Sequence, residues 1–281
     1  MDILDKMVPP ELVYHYTDAA GLLGIISSGK LWATDIEFLN DAQELTYARA
    51  TVLDELRARA DEIAPPDTGS EDGLRADVLR SIAGELEYPP QGEPSSTYHI
   101  YATCFCEDGD LLSQWRAYGG DGGYAIGFRA LSLLGLSASF DSVHFEKVTY
   151  GLDGARPYLD AMLEAAAQNA AGFPGATGNV RFMTLVLPTV AAIKHPTFAE
   201  EHEWRLLSTG WDAPEMALRF RPGSVGLVPF IEVSLPDNAV AQVIVGPGRY
   251  PEVRKSGVRQ LLERHGMSSV EVVGSTSPLR L

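Results

Sequence analysis

The sequence predicts an α+β fold in which clusters of strands alternate with helical inserts. Runs of β-branched and aromatic residues, which favour strands, occur at 13–17, across 98–151 and across 202–248. Two intervals, about 42–96 and about 155–194, show helical periodicity instead. The 281 residues contain no internal repeat and no convincing linker, so we expect a single domain over 1–281.

Local signals predict the first elements. The strand residues VYHYT lead into a short apolar helix that Asp18 can cap and Gly29 can end. A strand, KLWAT, precedes the motif FLNDAQE, in which Asn40 or Asp41 would cap a long amphipathic helix and Glu44 would complete a capping box. We therefore interpret FLNDAQE as the start of a helix.

The later elements repeat this alternation. Proline and glycine at 65–73 and 89–96 bound a second helix of the first insert. Strands follow in YHIYATCFCE, GYAIGF and VHFEKVTYG, with DGDLLSQWRAYGGDGG as a loop between the first two. After the second insert come the strands HEWRLLS, ALRFRPG, VPFIEVSLP and VAQVIVGPG, the helix PEVRKSGVRQLLERHG and the strand SVEVVGS. This order favours one α+β domain.

Composition and charge narrow the class of protein. With 45% hydrophobic and 21% charged residues the chain is typical of a globular protein, and no apolar run approaches the ~18 residues that span a bilayer. The N-terminus lacks the basic start and apolar stretch of a secretory signal, so we expect a cytoplasmic protein with no membrane partner. A net charge of -16 disfavours broad nucleic-acid binding but leaves room for a local basic pocket.

The segment KHPTFAEEHEWRLLS carries a candidate for catalysis. Pro196 forces a turn before three glutamates, Glu200, Glu201 and Glu203. If the following strand already begins at EHEW, Glu201 and Glu203 lie on the same face of that strand. Repulsion between the two carboxylates then raises the pKa of one of them. An acidic, solvated loop explains the same residues equally well.

The segment GDLLSQWRAYGGDGGYAIGF is a candidate for ligand binding. Its glycines would let a ligand approach the backbone, Arg116 could hold a diphosphate by paired hydrogen bonds, and aromatic rings could stack on a flat heterocycle. Ser113 and Tyr118 lie beside Arg116, and Tyr124 follows the glycines. Neither a Walker nor a dinucleotide fingerprint is present. A glycine-rich hairpin with a buried tryptophan is an equally good interpretation.

The sequence predicts neither a nucleophile nor a metal site. Cys104 and Cys106 stand two apart in an apolar strand, are poorly placed for a mutual disulfide and lack companion zinc ligands, so we expect reduced thiols. Ser113 lacks the context of a nucleophile elbow. His195 and His202 are seven apart, which does not match a metal-ligand spacing. We expect no bound metal.

Four motifs, YHYTDAAGLLGIISSGKLWAT, FLNDAQE, LLSQWRAYGGDGGYAIGF and KHPTFAEEHEWRL, resemble in order and spacing a widespread bacterial family catalogued as a domain of unknown function, over about residues 12–210. The opening block is in turn similar to the start of the ADP-ribosyltransferase superfamily, where a strand bearing H-[YF]-[TS] precedes a helix of regular apolar rhythm. The RNA 2′-phosphotransferase and DNA-modifying ADP-ribosyltransferase toxins share this opening. The resemblance implies an ADP-ribosyltransferase-like split β-sheet core with helical inserts.

The resemblance also implies roles for individual residues. In that superfamily the strand histidine hydrogen-bonds the ribose or carboxamide region of NAD and the next residues line the pocket, which implies these roles for His15, Tyr16 and Thr17. A late glutamate binds a ribose hydroxyl and stabilises the transition state, and Glu203 matches it. Glu201 matches the position that handles the acceptor. We therefore expect His15 and Glu203 to line one pocket.

The ligand-binding segment completes the expected NAD site. A tyrosine in the middle of the fold stacks on nicotinamide in that superfamily, and Tyr101, Tyr118 and Tyr124 all remain candidates. Ser113 and Arg116 join Tyr118 and Tyr124 in the set that we expect to bind NAD.

The expected activity is that of an NAD-dependent ADP-ribosyltransferase or NAD glycohydrolase, acting in toxin or anti-phage defence by family analogy. Cleavage of the nicotinamide–ribose bond develops positive charge on the sugar, so a fixed carboxylate accelerates it without a metal. One alternative is a catalytically silent module that binds a nucleotide or a protein partner. Another is an RNA 2′-phosphotransferase, which an acidic chain disfavours. The acceptor (protein, nucleic acid or water) and the oligomeric state do not follow from the sequence.

Overall fold

A computed structural model describes residues 8–39, 42–65, 70–87, 99–120, 122–140, 142–157, 159–160, 186–208, 218–223 and 226–277. The architecture is α+β, as the sequence predicted, and it contains a mixed, open sheet and several helices. The strands are β1 (Leu12–Thr17), β2 (Lys30–Asp35), β3 (Tyr101–Cys106), β4 (Tyr124–Arg129), β5 (Val143–Lys147), β6 (Thr149–Tyr150), β7 (Ile193–Lys194), β8 (Glu203–Ser208), β9 (Arg219–Gly223), β10 (Gly226–Ser234), β11 (Val240–Val245) and β12 (Glu271–Gly274).

The helices are α1 (Ala19–Ser28), α2 (Ala42–Ile63), α3 (Glu71–Glu87), α4 (Leu112–Tyr118), α5 (Ala130–Ser139) and α6 (Pro251–Arg264). Residues 151–157 and 186–191 are also helical, and short 3-10 helices occupy Ile36–Phe38 and Pro196–Glu201. None of the helices in the described part of the chain combines the length and the apolar character needed to cross a bilayer.

The main sheet splits along β3. In the described residues it has ten strands in the order β12-β11-β4-β1-β3-β2-β10-β9, with β8 between β3 and β5. One edge of β3 pairs with β8 along its whole length. The other edge meets β1 only at Tyr14–Cys106 and meets β2 at Thr34–Ala102 and Asp35–Tyr101. Because β1 and β2 use opposite ends of the same edge, they diverge between these points.

The register assigns the side chains of the sheet to two faces, since residues directly opposite in an antiparallel ladder point to the same side. We call the side that carries Cys104, Glu203 and Arg205 the charged face. The other side carries Val13, Phe105, Trp204 and further apolar residues, and we call it the apolar face. The apolar face packs against α1, α5 and α6 in the largest core that the described residues form.

Two smaller cores cover parts of the charged face. The α2–α3 hairpin and the helical residues 186–191 pack near Ala102 and Leu207. Tyr16 and Trp115 pack with Cys106 farther along β3. The charged residues at the level of Cys104 therefore lie between two apolar clusters.

Local signals predicted α1 correctly. The side chain of Asp18 accepts a hydrogen bond from the Gly21 amide at 2.8 Å, and Gly29 ends the helix in the left-handed conformation with φ of 64°. Helix α2 begins at Ala42, close to the predicted start. The capping residues themselves, Asn40 and Asp41, lie outside the described residues, so the predicted cap remains a prediction.

Three predicted elements need correction. The predicted loop after β3 contains α4, and the helix α5 was not predicted. In the second insert, whose residues 158 and 161–185 lie outside the description, the helical residues end at 191 rather than 194, because Ile193 and Lys194 pair in parallel with β6. A tertiary pairing there overrides the local helical pattern. Residues 88–96 of the first insert also lie outside the described part.

Candidate functional site

Two glutamates and two cations converge on the charged face. The Lys194 ammonium donates to Glu201 Oε2 at 2.6 Å and to Glu203 Oε2 at 3.0 Å. The Arg205 guanidinium donates from Nε to Glu203 Oε1 at 2.6 Å and from Nη2 to Oε2 at 3.1 Å. We call Lys194, Glu201, Glu203 and Arg205 the carboxylate cluster. All four side chains come from β7, β8 and the turn between them.

The turn before β8 brings the two glutamates together. Pro196 opens a 3-10 helix that ends at Glu201, and His202 follows in the left-handed conformation with φ of 41°. The strand begins only at Glu203, whose amide donates to the Tyr150 hydroxyl at 2.8 Å. The expectation that one pleat presents Glu201 and Glu203 together is therefore wrong, because Glu201 is not in the strand. Lys194 joins the two carboxylates instead.

The two carboxylates have different protonation properties. Burial of Glu203, which is 4% exposed, opposes its ionisation, but Arg205 and then Lys194 outweigh this and lower the pKa to about 2. Glu201 is partly exposed, and there burial raises the pKa even though Lys194 is in contact. Glu203 therefore stays anionic, whereas Glu201 can exchange a proton nearer to neutral pH.

Cys104 lies next to the cluster on β3. It is directly opposite Arg205 in the ladder, and burial raises the pKa of its thiol. The thiol therefore stays protonated and is a poor nucleophile. Cys104 and Cys106 are both free cysteines, and burial likewise raises the pKa of Cys106, to about 12. Within the ranges described, no group of three or more His, Cys, Asp or Glu side chains could hold a metal ion.

Helix α4 provides an exposed rim beside the cluster. The Ser113 hydroxyl donates to Glu200 Oε1 at 3.3 Å, which joins the start of α4 to the 3-10 turn. Arg116 follows Ser113 by three residues, so both lie on the same side of the helix, and both are exposed. Tyr118 ends the helix and is also exposed. Ser113, Arg116 and Glu200 form the rim of the site.

His15 lies at the split of the sheet. Its Nδ1 is 2.9 Å from the Cys104 carbonyl oxygen, at the point where β1 leaves β3. Its ring and that of Phe105 pack edge to face, with their centroids 6.0 Å apart. Burial lowers the pKa of the imidazole, which therefore stays neutral. The register puts His15 on the apolar face and Glu203 on the charged face. This contradicts the expectation that both side chains line one pocket.

Tyr16 anchors the segment that leads into α4. Its hydroxyl donates to the Asp108 carbonyl at 2.7 Å and accepts from the Leu111 amide at 2.9 Å, and its ring packs edge-on against Trp115 at 4.7 Å. Thr17 follows on the apolar side, where its hydroxyl lies so close to Gly21 that a Cβ added there would come within 1.9 Å of it. Tyr16 thus fixes the start of α4, which carries the rim, whereas Thr17 packs against the first turn of α1.

The glycine-rich loop is closed by the protein itself. Arg254 donates to the carbonyls of Gly246 at 2.8 Å, of Gly123 at 2.7 Å and of Gly122. Its guanidinium also lies over the Tyr124 ring, 4.9 Å from the centroid. Arg254 therefore covers the carbonyls of Gly122 and Gly123 and the Tyr124 ring, which is itself buried, whereas Gly120 is exposed with open space around it. Tyr101, the remaining candidate for stacking, is buried on the apolar face.

Sequence reasoning missed both cations of the carboxylate cluster. Arg205 carried a readable signal, because a charged residue two positions after Glu203 in an apolar strand must share its face. The signal at Lys194 is weaker, because this residue ends a segment with helical periodicity. Its two-residue strand, β7, can be recognised only from its pairing with β6.

The comparison with known families identifies one region of the chain. Residues 114–206 match the model of a family designated DUF2971. The family is described as a protein of unknown function. The DUF2971 region agrees with the expected resemblance to a bacterial family of that kind, and it contains the whole carboxylate cluster and most of α4. It does not include β1 or Ser113. No curated protein matches the chain.

Proposed function

We propose that the protein is an NAD-dependent ADP-ribosyltransferase or NAD glycohydrolase that uses the carboxylate cluster. The observation that carries the proposal is that Glu201 and Glu203 contact one ammonium, Lys194, yet differ in burial and in the direction of their pKa shifts. Two carboxylates whose environments push their pKa values apart suit a reaction that needs one fixed anion and one proton acceptor. A role in toxin or anti-phage defence rests on the family resemblance alone.

The proposed reaction uses first the fixed anion, Glu203, and then the proton acceptor, Glu201. The bond between the nicotinamide nitrogen and the ribose carbon breaks, its electron pair leaves with nicotinamide, and positive charge develops on the sugar. The anionic Glu203 stabilises that charge as part of the cluster. An acceptor hydroxyl or water then bonds to the same carbon and gives its proton to Glu201, which is the more exposed of the two. No metal is required for either step.

The fold and the rim support an NAD substrate. The divergence of β1 and β2 along β3 supports the proposal, because the resemblance to ADP-ribosyltransferases implies a split sheet. Arg116 offers two parallel donors for a diphosphate, and Ser113 lies beside it over Glu200. Tyr16 would act by holding this rim in place.

The test is nicotinamide release from NAD by the purified chain and by two matched variants, Glu201→Gln and Glu203→Gln. We expect the parent to release nicotinamide and Glu203→Gln to lose about 100- to 1,000-fold in turnover with a much smaller change in NAD affinity. Glu201→Gln should reduce transfer to an acceptor more than release of nicotinamide. A Glu203→Gln variant that is folded and as fast as the parent would exclude the catalytic assignment.

A catalytically silent binding module is the second candidate, and one observation favours it. Both oxygens of Glu203 accept hydrogen bonds from Arg205 and Lys194, so this carboxylate has little capacity left for a ribose hydroxyl. If the protein is such a binding module, the carboxylate cluster stabilises the fold beneath a ligand site and takes no part in a reaction. A parent protein that binds NAD by calorimetry but releases no nicotinamide with any acceptor would favour this candidate over the enzyme.

A further inference from the structure

Trp32 forms a flat aromatic surface on the charged face. It is 48% exposed, although its neighbours Leu31 and Ala33 point into the main core. Its ring lies 4.5 Å from that of Phe230 at an angle of 34°, and Phe230 is 4% exposed. A rigid strand and a buried ring beneath it hold the indole in place. Such a preformed ring surface is suited to stacking on another planar group.

Cations surround this tryptophan. Lys30 and Arg219 both contact Glu232, at 2.8 and 3.3 Å, and Glu232 lies directly opposite Trp32 in the ladder. Arg221 projects from the same face and donates to Thr34 at 3.2 Å. In the described part of the chain, Arg221 Nε has no acceptor. Three cations and one carboxylate leave a local charge of +2 on a chain of net charge -16.

The aromatic surface and the carboxylate cluster lie on one face of the sheet. β2 neighbours β3, and β3 neighbours β8, so the backbones of Thr34 and Leu207, on either side of Ala102, are separated by two strand spacings, roughly 10 Å. Trp32 and Arg205 lie two residues along from Thr34 and Leu207, on the same face. Cys104 lies between them on β3 and is partly exposed. A ligand that contacts both the Trp32 ring and the carboxylate cluster must be longer than one planar ring and must tolerate cations at one end.

We propose that Trp32 stacks on the adenine of NAD and that Arg221, with Lys30 and Arg219, binds the phosphate of the same AMP half. The inference rests on the proposed function, since it places the other half of the substrate at the carboxylate cluster. An aromatic face flanked by guanidinium groups recognises a flat heterocycle that carries a phosphate. The ring supplies stacking, and the cations supply the preference for a charged ligand.

The test is calorimetric titration of the full chain with 5′-AMP and with adenosine, neither of which needs turnover. The parent should bind AMP more tightly than adenosine. Trp32→Ala should weaken AMP binding by about 5- to 150-fold, as expected for loss of one base-stacking contact, and Trp32→Phe should restore most of it. Arg221→Gln should reduce the difference between AMP and adenosine.

Phe220→Ala is the matched control. Phe220 is an exposed aromatic residue of β9, but its register with Pro229 puts it on the opposite face from Arg219 and Arg221. Its loss should leave AMP affinity unchanged. The inference is overturned if the parent does not bind AMP, if Trp32→Ala binds like the parent, or if Phe220→Ala loses as much. Binding of an adenine oligonucleotide far more tightly than AMP would also overturn it, in favour of a surface for single-stranded nucleic acid.

The two proposals fail in different ways. If AMP binds through Trp32 but nicotinamide is never released from NAD, the proposed enzyme activity fails and the nucleotide site stands. If nicotinamide is released at the same rate and the same KM by Trp32→Ala and by the parent, the activity stands and the adenine site is overturned.

Discussion

The glycine-rich segment 119–127 and the segment 194–205 offered equally ambiguous signals in the sequence, but their structures differ. In the first, Arg254 binds the carbonyls of Gly122 and Gly123 and covers Tyr124, so this part of the segment packs against the protein itself. In the second, four charged side chains meet on the charged face, and Glu201 remains partly exposed. In the first segment the carbonyls of Gly122 and Gly123 are used within the fold, whereas the second segment retains ionisable groups that a ligand could reach.

The difference shows what each kind of pattern requires physically. A glycine is needed wherever a side chain would collide with backbone, whether or not a ligand is near. A charged residue inside a buried strand, in contrast, needs a counter-charge, because isolated burial of an ion is strongly unfavourable. Charged residues at alternate strand positions therefore point to a cluster more reliably than glycines point to a ligand loop.

The largest expected effect is that of Arg205→Met. Arg205 is buried and supplies two of the hydrogen bonds to Glu203, so its loss leaves a buried carboxylate with only Lys194. Breaking a buried ion pair by removing one partner costs about 3–5 kcal/mol of unfolding free energy. Urea unfolding of Arg205→Met and of the parent at neutral pH measures this loss of unfolding free energy.

Lys147→Met provides the control for this prediction. Lys147 pairs with Glu107 at 2.7 Å, but both side chains are about one third exposed. Loss of such a pair changes stability by at most about 1 kcal/mol. Equal effects of the two substitutions would mean that the carboxylate cluster is solvated and would remove the distinction between buried and surface pairs.

The second prediction concerns the loss of folding stability at acid pH. The pKa of Glu203 falls from 4.5 to about 2 on folding, so between these values the unfolded chain binds more protons than the folded one. The stability that Glu203 contributes is complete above pH 4.5 and is lost as the pH falls towards 2. The shift corresponds to about 3 kcal/mol.

Urea unfolding of the parent and of Glu203→Gln between pH 7 and pH 3 tests this. The parent should be more stable at pH 7, and most of its advantage should disappear by pH 3, because glutamine does not titrate. A constant difference across this range would show that folding does not lower the pKa of Glu203.

The third prediction addresses the glycine-rich segment. A Cβ at Gly123 would come within 2.4 Å of the Gly119 Cα and 2.9 Å of the Thr17 carbonyl oxygen, so Gly123→Ala should cost about 1–3 kcal/mol. Gly135 lies in α5 with open space around it, and Gly135→Ala should instead stabilise by up to about 1 kcal/mol. Thermal unfolding of both variants measures the contrast. A neutral Gly123→Ala would mean that the loop can open.

Local chemistry predicted some of this molecule, and long-range pairing determined the rest. Asp18 and Gly29 fix the ends of α1 within one helix, so their signals were sufficient. Which face His15 occupies depends on where β1 meets β3, about ninety residues later, and no local pattern carries that information. The shared strand face predicted for Glu201 and Glu203 is absent, because a 3-10 turn precedes the strand, and both carboxylates contact Lys194 instead.

The smallest expected effect is that of Glu201→Gln on stability. A carboxamide oxygen can still accept a hydrogen bond from Lys194, and Lys194 keeps Glu203 as its counter-charge. Because burial raises the pKa of Glu201 on folding, ionised Glu201 opposes stability as the pH rises from the ordinary glutamate value through the raised one. At neutral pH we therefore expect a change below about 1 kcal/mol in either direction.

Urea unfolding at pH 7 of Glu201→Gln beside Glu200→Gln, an exposed neighbour, measures this smallest effect. Two near-neutral results, together with a large loss for Arg205→Met, would place the structural role of the cluster in Glu203 and Arg205 and leave Glu201 available for proton transfer. If Glu201→Gln instead destabilised the protein as strongly as Arg205→Met, Glu201 would be an integral part of the buried ion network, and the division of roles between the two carboxylates would fail.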